Sequence, residues 1–320
     1  MQILITGAAG FIGFNLSKYL LENTKLKVLG VDNLNNYYSR TLKLDRIKDL
    51  KKFKNFTFKK IDITNKKQLN YSLYKKKISL IINLAAQAGV RYSLLKPTEF
   101  VENNILGFYN IINFAKTHNI KKILYASSSS VYGDSDRFPL NEKQNIKPKN
   151  IYALSKKINE EMASVFSSQF KISLIGLRFF TVYGEWGRPD MFMMKYLNSS
   201  YNLSKKFYLN NHGNHTRDFT YIEDACKIVA KLIFSKKNIN NQIFNICSNK
   251  PINLLKIINK INKLTNRKPR LYKRNLQKAD VIKTHGSNKK IIQKIGKIQF
   301  TTIEVGLNKT VKWFKKYYKL

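Results

Sequence analysis

The chain has 320 residues, 43% of them apolar, so it is long enough for about two domains with a sizeable core. Lys and Arg outnumber Asp and Glu by 59 to 19, but the cations are spread along the whole chain and form no basic tail, which disfavours nucleic acid as a partner and favours an anionic substrate. Two cysteines exclude a disulfide framework, no apolar run approaches the roughly 20 residues of a membrane span, and Met1 leads directly into a strand, so we expect a cytoplasmic protein.

The first predicted elements are a strand, a glycine-rich turn and a helix that follow one another without a gap. Residues 3–13 read ILITGAAGFIG. The three glycines permit a tight turn, close approach of the backbone to a pyrophosphate and close packing of helix on strand, and the N–H groups that open the helix face the anion. We therefore expect a dinucleotide cofactor to contact Gly7, Gly10, Phe11, Ile12 and Gly13.

An acidic residue follows the second strand. The apolar run 26–31 ends in Asp32, nineteen residues after Gly13. A carboxylate at this point can accept both hydroxyls of an adenosine ribose and would repel a 2′-phosphate. Because the neighbouring Asn33 carries no positive charge, the sequence predicts NAD in preference to NADP, with Asp32 and Asn33 at the ribose. A glycine turn in another kind of α/β protein is the alternative.

Further strand-like runs cover residues 56–61, 79–84, 123–126 and 172–177, with longer polar segments between them. Strands that alternate with helices imply a parallel sheet. The clearest helix spans residues 97–118, where apolar residues spaced by four and three predict one side facing the core. Those residues are Val101, Ile105, Phe108, Ile112 and Ala115.

Beyond residue 180 the alternation of strands and helices becomes irregular. It resumes with a helix from about Ile222, a strand at 243–246 and an amphipathic closing helix at 305–318. This order predicts an α/β fold, a Rossmann-type doubly wound parallel sheet with a smaller α/β substrate-binding lid. We assign residues 1–180, with a returning segment at about 216–248, to the NAD-binding domain, and residues 181–215 and 249–320 to the lid.

A tyrosine and a lysine follow the fifth strand, where residues 152–156 read YALSK. Residues four apart share one face of a helix. A phenol has a pKa near 10, but a neighbouring ammonium and a positive nicotinamide ring would favour the phenolate, so Tyr152 could act as a general base for an alcohol with Lys156 beside it. The serines at 127–130 supply hydroxyls at the carboxyl end of the strand. A surface pair and a serine-rich turn are the alternatives.

Together these segments resemble a known enzyme family. The glycine loop, the string NLAA at 83–86, the serine run before VYG at 131–133, and Tyr152 with Lys156 resemble the extended short-chain dehydrogenases that act on nucleotide sugars. The longer strings AAQAGVRYS at 85–93, LRFFTVYG at 177–184 and GRPDM at 187–191 are similar to UDP-glucuronate 4-epimerases. The lid is then a UDP-sugar-binding domain, and no residue spacing resembles a metal site.

The resemblance implies roles for the catalytic residues. Tyr152 is the base, Lys156 holds the nicotinamide ribose and lowers the pKa of the tyrosine, and Ser128, four residues before Tyr132, bonds the reacting hydroxyl. Related dehydratases carry Asp-Glu, and related decarboxylases a Glu, where this chain has Ser129 and Ser130. Elimination is therefore disfavoured.

The resemblance also implies binding residues. Further cofactor contacts are expected at Asp62, Ile63, Leu84, Ala85, Ala86 and Asn104. Substrate contacts are expected at Arg91, Ser129, Ser130, Thr181, Arg188, Arg217 and Asp280, with Tyr221 near the sugar nucleotide. A helix cap is the alternative for Asp62, and a buried amide satisfied by the backbone is the alternative for Asn104. Lys278 and Ala279 replace the family's Pro-Gly before Asp280, which leaves that loop's geometry open.

The implied activity is isomerisation of UDP-glucuronate to UDP-galacturonate through a transient 4-keto sugar, with NAD that stays tightly bound and is recycled. The product is a precursor of acidic surface polysaccharide. Other 4-epimerases, acting on UDP-glucose or UDP-N-acetylglucosamine, are the close alternatives, and a decarboxylase is a more distant one. An RNA-binding protein on the same fold is the alternative from another class, prompted by the charge of +40. The resemblance further implies a homodimer through helices at 97–118 and 150–170.

Overall fold

A seven-stranded parallel sheet is the centre of the computed structural model, which describes residues 1–202, 204–235 and 239–320. The strands of the described residues are β1 Gln2–Thr6, β2 Lys27–Asp32, β3 Phe56–Lys60, β4 Leu80–Asn83, β5 Lys122–Ser128, β6 Ser173–Phe179, β7 Thr181–Tyr183, β8 Phe207–Asn210, β9 Thr216–Tyr221, β10 Ile243–Ile246, β11 Pro251–Asn253 and β12 Leu271–Arg274. The large sheet has the order β10-β6-β5-β4-β1-β2-β3, and every neighbouring pair in it is parallel.

Helices cover both faces of this sheet. They are α1 Phe11–Asn23, α2 Arg40–Leu50, α3 Lys66–Leu73, α4 Tyr92–Leu95, α5 Pro97–Phe100, α6 Gly107–Thr117, α7 Ile151–Phe170, α8 Phe192–Tyr201, α9 Ile222–Phe234, α10 Leu254–Thr265, α11 Lys289–Ile295 and α12 Ile303–Tyr318. Alternate residues of β1 point to opposite sides: Ile3 and Ile5 join a core with α1 and α9, and Leu4 joins a second core with α3, α6 and α7. The predicted doubly wound fold is confirmed.

Two smaller sheets lie in the second half of the chain. In one, β9 pairs with β7 in parallel and with β11 in antiparallel orientation, and in the other β8 pairs with β12. The segment 216–248 thus gives β9 to a small sheet and β10 to the large one. The division into two domains stays a prediction.

The predicted helix at 97–118 differs from the observed one. Residues Val101–Leu106 form a π-helical turn between α5 and α6. A π turn contains more residues than a turn of α-helix. The side chains before it therefore point in other directions than a continuous α-helix would give them. As a result Val101 is 50% exposed, and its predicted place in the core is wrong, whereas Phe108, Ile112 and Ala115 are buried as predicted.

The closing helix α12 is confirmed, with Val311 and Phe314 buried against the core. None of the helices in the described residues combines the length and apolar composition that crossing a bilayer requires.

Candidate active site

The glycine-rich loop between β1 and α1 can be formed only by glycine at two of its positions. Gly7 has φ +70°, and a Cβ there would lie 2.7 Å from the backbone nitrogen of Ala85. A Cβ on Gly13 would lie 2.1 Å from the carbonyl oxygen of Gly7. Gly10 precedes α1 without a side-chain cap, so the first N–H groups of the helix stay available to an anion.

Asp32 ends β2 beside this loop. Its carboxylate accepts hydrogen bonds from the backbone N–H of Ala9 at 3.1 Å and of Leu34 at 2.8 Å. Burial raises the pKa of Asp32, while Lys43 and Arg46 act to lower it. Lys43 was not foreseen: it belongs to α2, lines the same cavity as Asp32, and donates from Nζ to the carbonyl of Asn35 at 2.8 Å. In a chain with so many lysines, no sequence pattern marks it.

One cavity brings most of the predicted cofactor and catalytic residues together at the carboxyl ends of the strands. Its walls include Gly7, Gly10, Phe11, Ile12, Gly13, Asp32, Asn33, Ile63, Leu84, Ala85, Ala86, Ser128, Tyr152 and Lys156. We call it the first cavity. An extended dinucleotide fits this set: helix N–H groups for a pyrophosphate and a carboxylate for a ribose.

Two predicted cofactor residues, Asp62 and Asn104, do not line the first cavity. Asp62 accepts hydrogen bonds from the Asn33 side chain at 3.0 Å and from Thr64. The alternative of a helix cap is wrong for Asp62, because Asn65 caps α3 through the N–H of Gln68. Asp62 therefore contacts the cavity wall through Asn33.

Asn104 lies in the π-helical turn and is 1% exposed. Its side chain accepts from the N–H of Gln87 at 2.7 Å and donates to the carbonyl of Gln87 and to Ser155 Oγ. Asn104 is therefore a buried amide whose hydrogen bonds are made by other groups of the protein, which is the alternative interpretation given above. It links the cavity wall at Gln87 to α7 next to Lys156.

The three predicted catalytic side chains come from β5 and α7. Ser128 ends β5, and its Oγ donates to Ser130 Oγ at 3.1 Å. Asn150 caps α7, which places Tyr152 in the first turn and Lys156 one turn later. Lys156 is 3% exposed and donates from Nζ to the carbonyl of Ala126 at 2.9 Å. Burial lowers the pKa of Lys156 to about 8, although Glu160 acts to raise it.

Glu160 is a residue that the sequence reading missed. It lies one turn after Lys156 on α7 and is buried with Arg178 of β6. Arg178 donates to Glu160 from Nε at 2.8 Å and from Nη2 at 2.7 Å, and Ser127 Oγ donates to the same carboxylate at 2.5 Å. In the sequence, the spacing of four residues between Lys156 and Glu160 could have indicated that the two side chains lie on the same face of the helix. The carboxylate joins β5, β6 and α7 beneath the first cavity.

A second cavity adjoins the first, and Tyr37, Arg188 and Met191 line both. The predicted substrate residues Arg91, Thr181, Arg188, Arg217 and Asp280 lie in its walls. Ser129 and Ser130 line neither cavity, because the chain turns into a 3₁₀ helix directly after Ser128. Among the described residues, seven Arg and Lys side chains and two Asp side chains line this second cavity. Its field favours an anion.

Asp280 reaches the second cavity with Lys278 and Ala279 before it. Arg91 donates to it from Nε at 3.3 Å and from Nη2 at 2.7 Å. Arg217 fixes the same loop, donating from Nη1 to the carbonyl of Ile282 at 2.8 Å, and burial lowers the pKa of Arg217 to about 10. Tyr221 lies elsewhere: its hydroxyl donates to Glu185 at 2.7 Å, and it lines neither cavity.

Comparisons with known proteins agree with this arrangement. An uncharacterized protein of Methanocaldococcus jannaschii is 45% identical over 98% of this chain and 96% of its own. A UDP-glucuronate 4-epimerase of Thermodesulfobacterium geofontis is 38% identical over 99% of this chain and 97% of its own. The crystal structure of UDP-glucuronic acid 4-epimerase from Bacillus cereus, in complex with UDP-glucuronic acid and NAD, superposes with a TM-score of 0.93 at 30% identity and covers 99% of this chain and 100% of that one.

The model of the NAD dependent epimerase/dehydratase family matches residues 3–247. The predicted resemblance to the extended short-chain dehydrogenases, the prediction of an enzyme and the prediction of NAD as cofactor are confirmed. The chain belongs to the NAD dependent epimerase/dehydratase family.

Proposed function

We propose that this enzyme is a UDP-sugar 4-epimerase that converts UDP-glucuronate to UDP-galacturonate. The observation that carries the proposal is the junction of the two cavities: Ser128, Tyr152 and Lys156 line the first, and the cationic second cavity opens beside them at Arg188. The names of the relatives from Thermodesulfobacterium geofontis and Bacillus cereus support the same substrate.

Tyr152 takes the proton of the sugar 4-hydroxyl, and Ser128 holds that hydroxyl by a hydrogen bond. Lys156, as an ammonium, holds the nicotinamide ribose and favours the phenolate of Tyr152. Bound in the first cavity, NAD would supply the acceptor for a hydride from C4 and, after the 4-keto sugar has turned over, the donor that returns it to the opposite face. Tyr152 gives the proton back, so the cycle has no net redox change.

The carboxylate of the substrate requires separate control. A 4-keto uronate is a β-keto acid, which loses carbon dioxide when its carboxylate bond lies perpendicular to the carbonyl plane. We propose that the Thr181 hydroxyl fixes this carboxylate in an orientation that prevents the loss, and that Ser130, which lines neither cavity, acts through its hydrogen bonds to Ser128. Thr181 lies in the wall of the second cavity, and Ser130 is bonded to Ser128 through both its N–H and its Oγ.

Arg188 and Arg217 are proposed to bind the diphosphate, for which a planar guanidinium is suited. Asp280 and Arg91, which lie in the wall of the same cavity, are proposed contacts of the uridine part. A UDP-uronate, whose sugar carboxylate adds to the charge of the diphosphate, balances more of the cationic excess than a UDP-sugar with an uncharged sugar does. We place the reaction in the cytoplasm, supplying precursors of acidic surface polysaccharide.

The test is to mix purified protein with UDP-glucuronate, without added NAD, and to follow the sugar nucleotides by anion-exchange chromatography and proton NMR. UDP-galacturonate is the expected product, and the Tyr152→Phe variant should form it on the order of 10²–10⁴ times more slowly. If the wild type instead turns over only UDP-glucose or UDP-N-acetylglucosamine, the carboxylate assignment is wrong. Salt-dependent RNA binding without epimerisation would overturn the proposal as a whole.

A further inference from the structure

The guanidinium of Arg188 is engaged by a carboxylate two residues along the chain. Arg188 donates from Nε to Asp190 Oδ1 at 3.0 Å and from Nη2 to Asp190 Oδ2 at 2.5 Å. Both side chains are partly buried, with 21% and 24% of each exposed. A two-point pair of this kind fixes the plane of the guanidinium and not merely its distance.

Tyr37 holds the same carboxylate from a distant part of the chain. Its hydroxyl donates to Asp190 Oδ2 at 3.0 Å, across 153 residues of sequence. The ring lies 4.8 Å from that of Tyr92, and a Cβ on Gly89 would come within 2.3 Å of the hydroxyl, so Tyr37 is closely packed. Burial and Asp190 raise the pKa of Tyr37, which therefore remains a hydrogen-bond donor at neutral pH.

The bonding leaves part of Arg188 available. Asp190 occupies Nε and one hydrogen of Nη2, and Nη1 has no hydrogen-bond partner among the described residues. Arg188 lies in the wall shared by both cavities, and so does Tyr37, which follows Asp32 by five residues in a segment that encloses the first cavity. The available donors of Arg188 are thus placed where the cofactor and the sugar nucleotide would meet.

We propose that Asp190 and Tyr37 are positioning residues, which hold Arg188 so that its remaining donors are preset for the diphosphate of the substrate. The proposal rests on the proposed function, because Arg188 is taken there as a diphosphate ligand. An unrestrained arginine has many rotamers and must give up that freedom when an anion binds. In this protein Asp190 and Tyr37 restrain Arg188 before an anion binds.

A role for Asp190 in neutralising charge alone predicts the opposite change in UDP affinity. If Asp190 served only to neutralise Arg188, its removal would leave a stronger positive charge and would tighten anion binding. If Asp190 positions Arg188, its removal weakens binding despite the gain in positive charge. The sign of the change in UDP affinity therefore separates the two.

The experiment measures UDP binding by isothermal titration calorimetry on the purified protein with its cofactor. Asp190→Asn should weaken UDP binding on the order of tenfold, and Tyr37→Phe, which alters no charge, by several-fold. Asp134→Asn is the matched control, because Asp134 is an exposed aspartate paired with Lys149 outside both cavities. Unchanged or tighter binding by Asp190→Asn and Tyr37→Phe would overturn the proposal.

A double substitution tests whether the effect passes through Arg188. In an Arg188→Met background, adding Asp190→Asn should cause no further loss of UDP affinity, whereas a general loss of fold would add to it. A full additional loss in the double variant contradicts a positioning role. If UDP binds and no UDP-sugar is epimerised, the proposed reaction fails while the positioning pair stands. If the wild type binds no UDP, both fail.

Discussion

At the scale of single residues, the charge of Lys156 is maintained against its own burial. Its pKa is lowered to about 8 by desolvation, and Glu160, one turn away, is the group that opposes this change. In the proposed reaction Lys156 must be an ammonium, so turnover should decline as the pH rises through its pKa. Glu160 is thus a positioning residue for catalysis without facing the cavity.

We expect Glu160→Gln to move this decline to lower pH, because loss of the negative charge lowers the pKa of Lys156 further. The measurement is kcat against pH between about 6 and 10, on protein checked for its NAD content and melting temperature. Glu161→Gln, at the exposed neighbouring position, is the control. An alkaline limb at the same pH in both variants would show that Glu160 does not act through Lys156.

The orientation of the substrate carboxylate is also proposed to depend on single hydroxyl groups. Ser130→Ala and Thr181→Val should each raise the proportion of decarboxylated sugar nucleotide several-fold, because a carboxylate free to rotate reaches the perpendicular orientation more often. The ratio of pentose to uronate product is read by proton NMR. Thr181→Ser keeps a hydroxyl and should keep the wild-type ratio. Equal ratios in all the variants would assign the carboxylate to other groups.

At the scale of elements, the glycine loop depends on close contact between the start of α1 and the end of β1. Gly13→Ala would press its Cβ against the Gly7 carbonyl at 2.1 Å, and both groups are backbone, so the loop must shift. Overpacking of this kind costs about 1–3 kcal/mol, and we expect this cost to appear as a loss of affinity for NAD of about 5- to 150-fold.

The loss is measured as NAD retained per protein after gel filtration. Glu22→Ala, at an exposed position of the same helix α1, is the control. Retention of a full complement of NAD by Gly13→Ala would mean that the loop tolerates the shift.

Elements that depend on local sequence were predictable, and those that depend on distant partners were not. The loop and Asp32 follow from neighbouring residues, as does the pair Tyr152 and Lys156. The π-helical turn could not be foreseen, because it arises where buried Asn104 bonds Gln87 and Ser155, 17 and 51 residues away. The bond from Tyr37 to Asp190 likewise spans 153 residues. Hydrophobic periodicity contains no information about such polar contacts.

At the scale of the whole molecule, apolar side chains remain exposed on neighbouring helices. They lie on α4, on the π-helical turn, on α6 and on α7, which pack against one another. The exposed residues are Leu94, Leu95, Val101, Leu106, Tyr109, Leu154 and Val165. Contiguous apolar surface on a water-exposed face is typical of an interface. The same helices were expected to form a homodimer, which stays a prediction.

We predict a dimer in solution that Val101→Glu with Leu106→Glu converts to a monomer, because burying two carboxylates in a symmetric interface is costly on both subunits. Both positions are at least 45% exposed, so the changes leave the core of the subunit intact. The mass is measured by gel filtration with light scattering. Tyr71→Glu, at an 89% exposed position on α3, should remain dimeric. A monomeric wild type, or a double variant that stays dimeric, would place the exposed apolar residues outside any subunit contact.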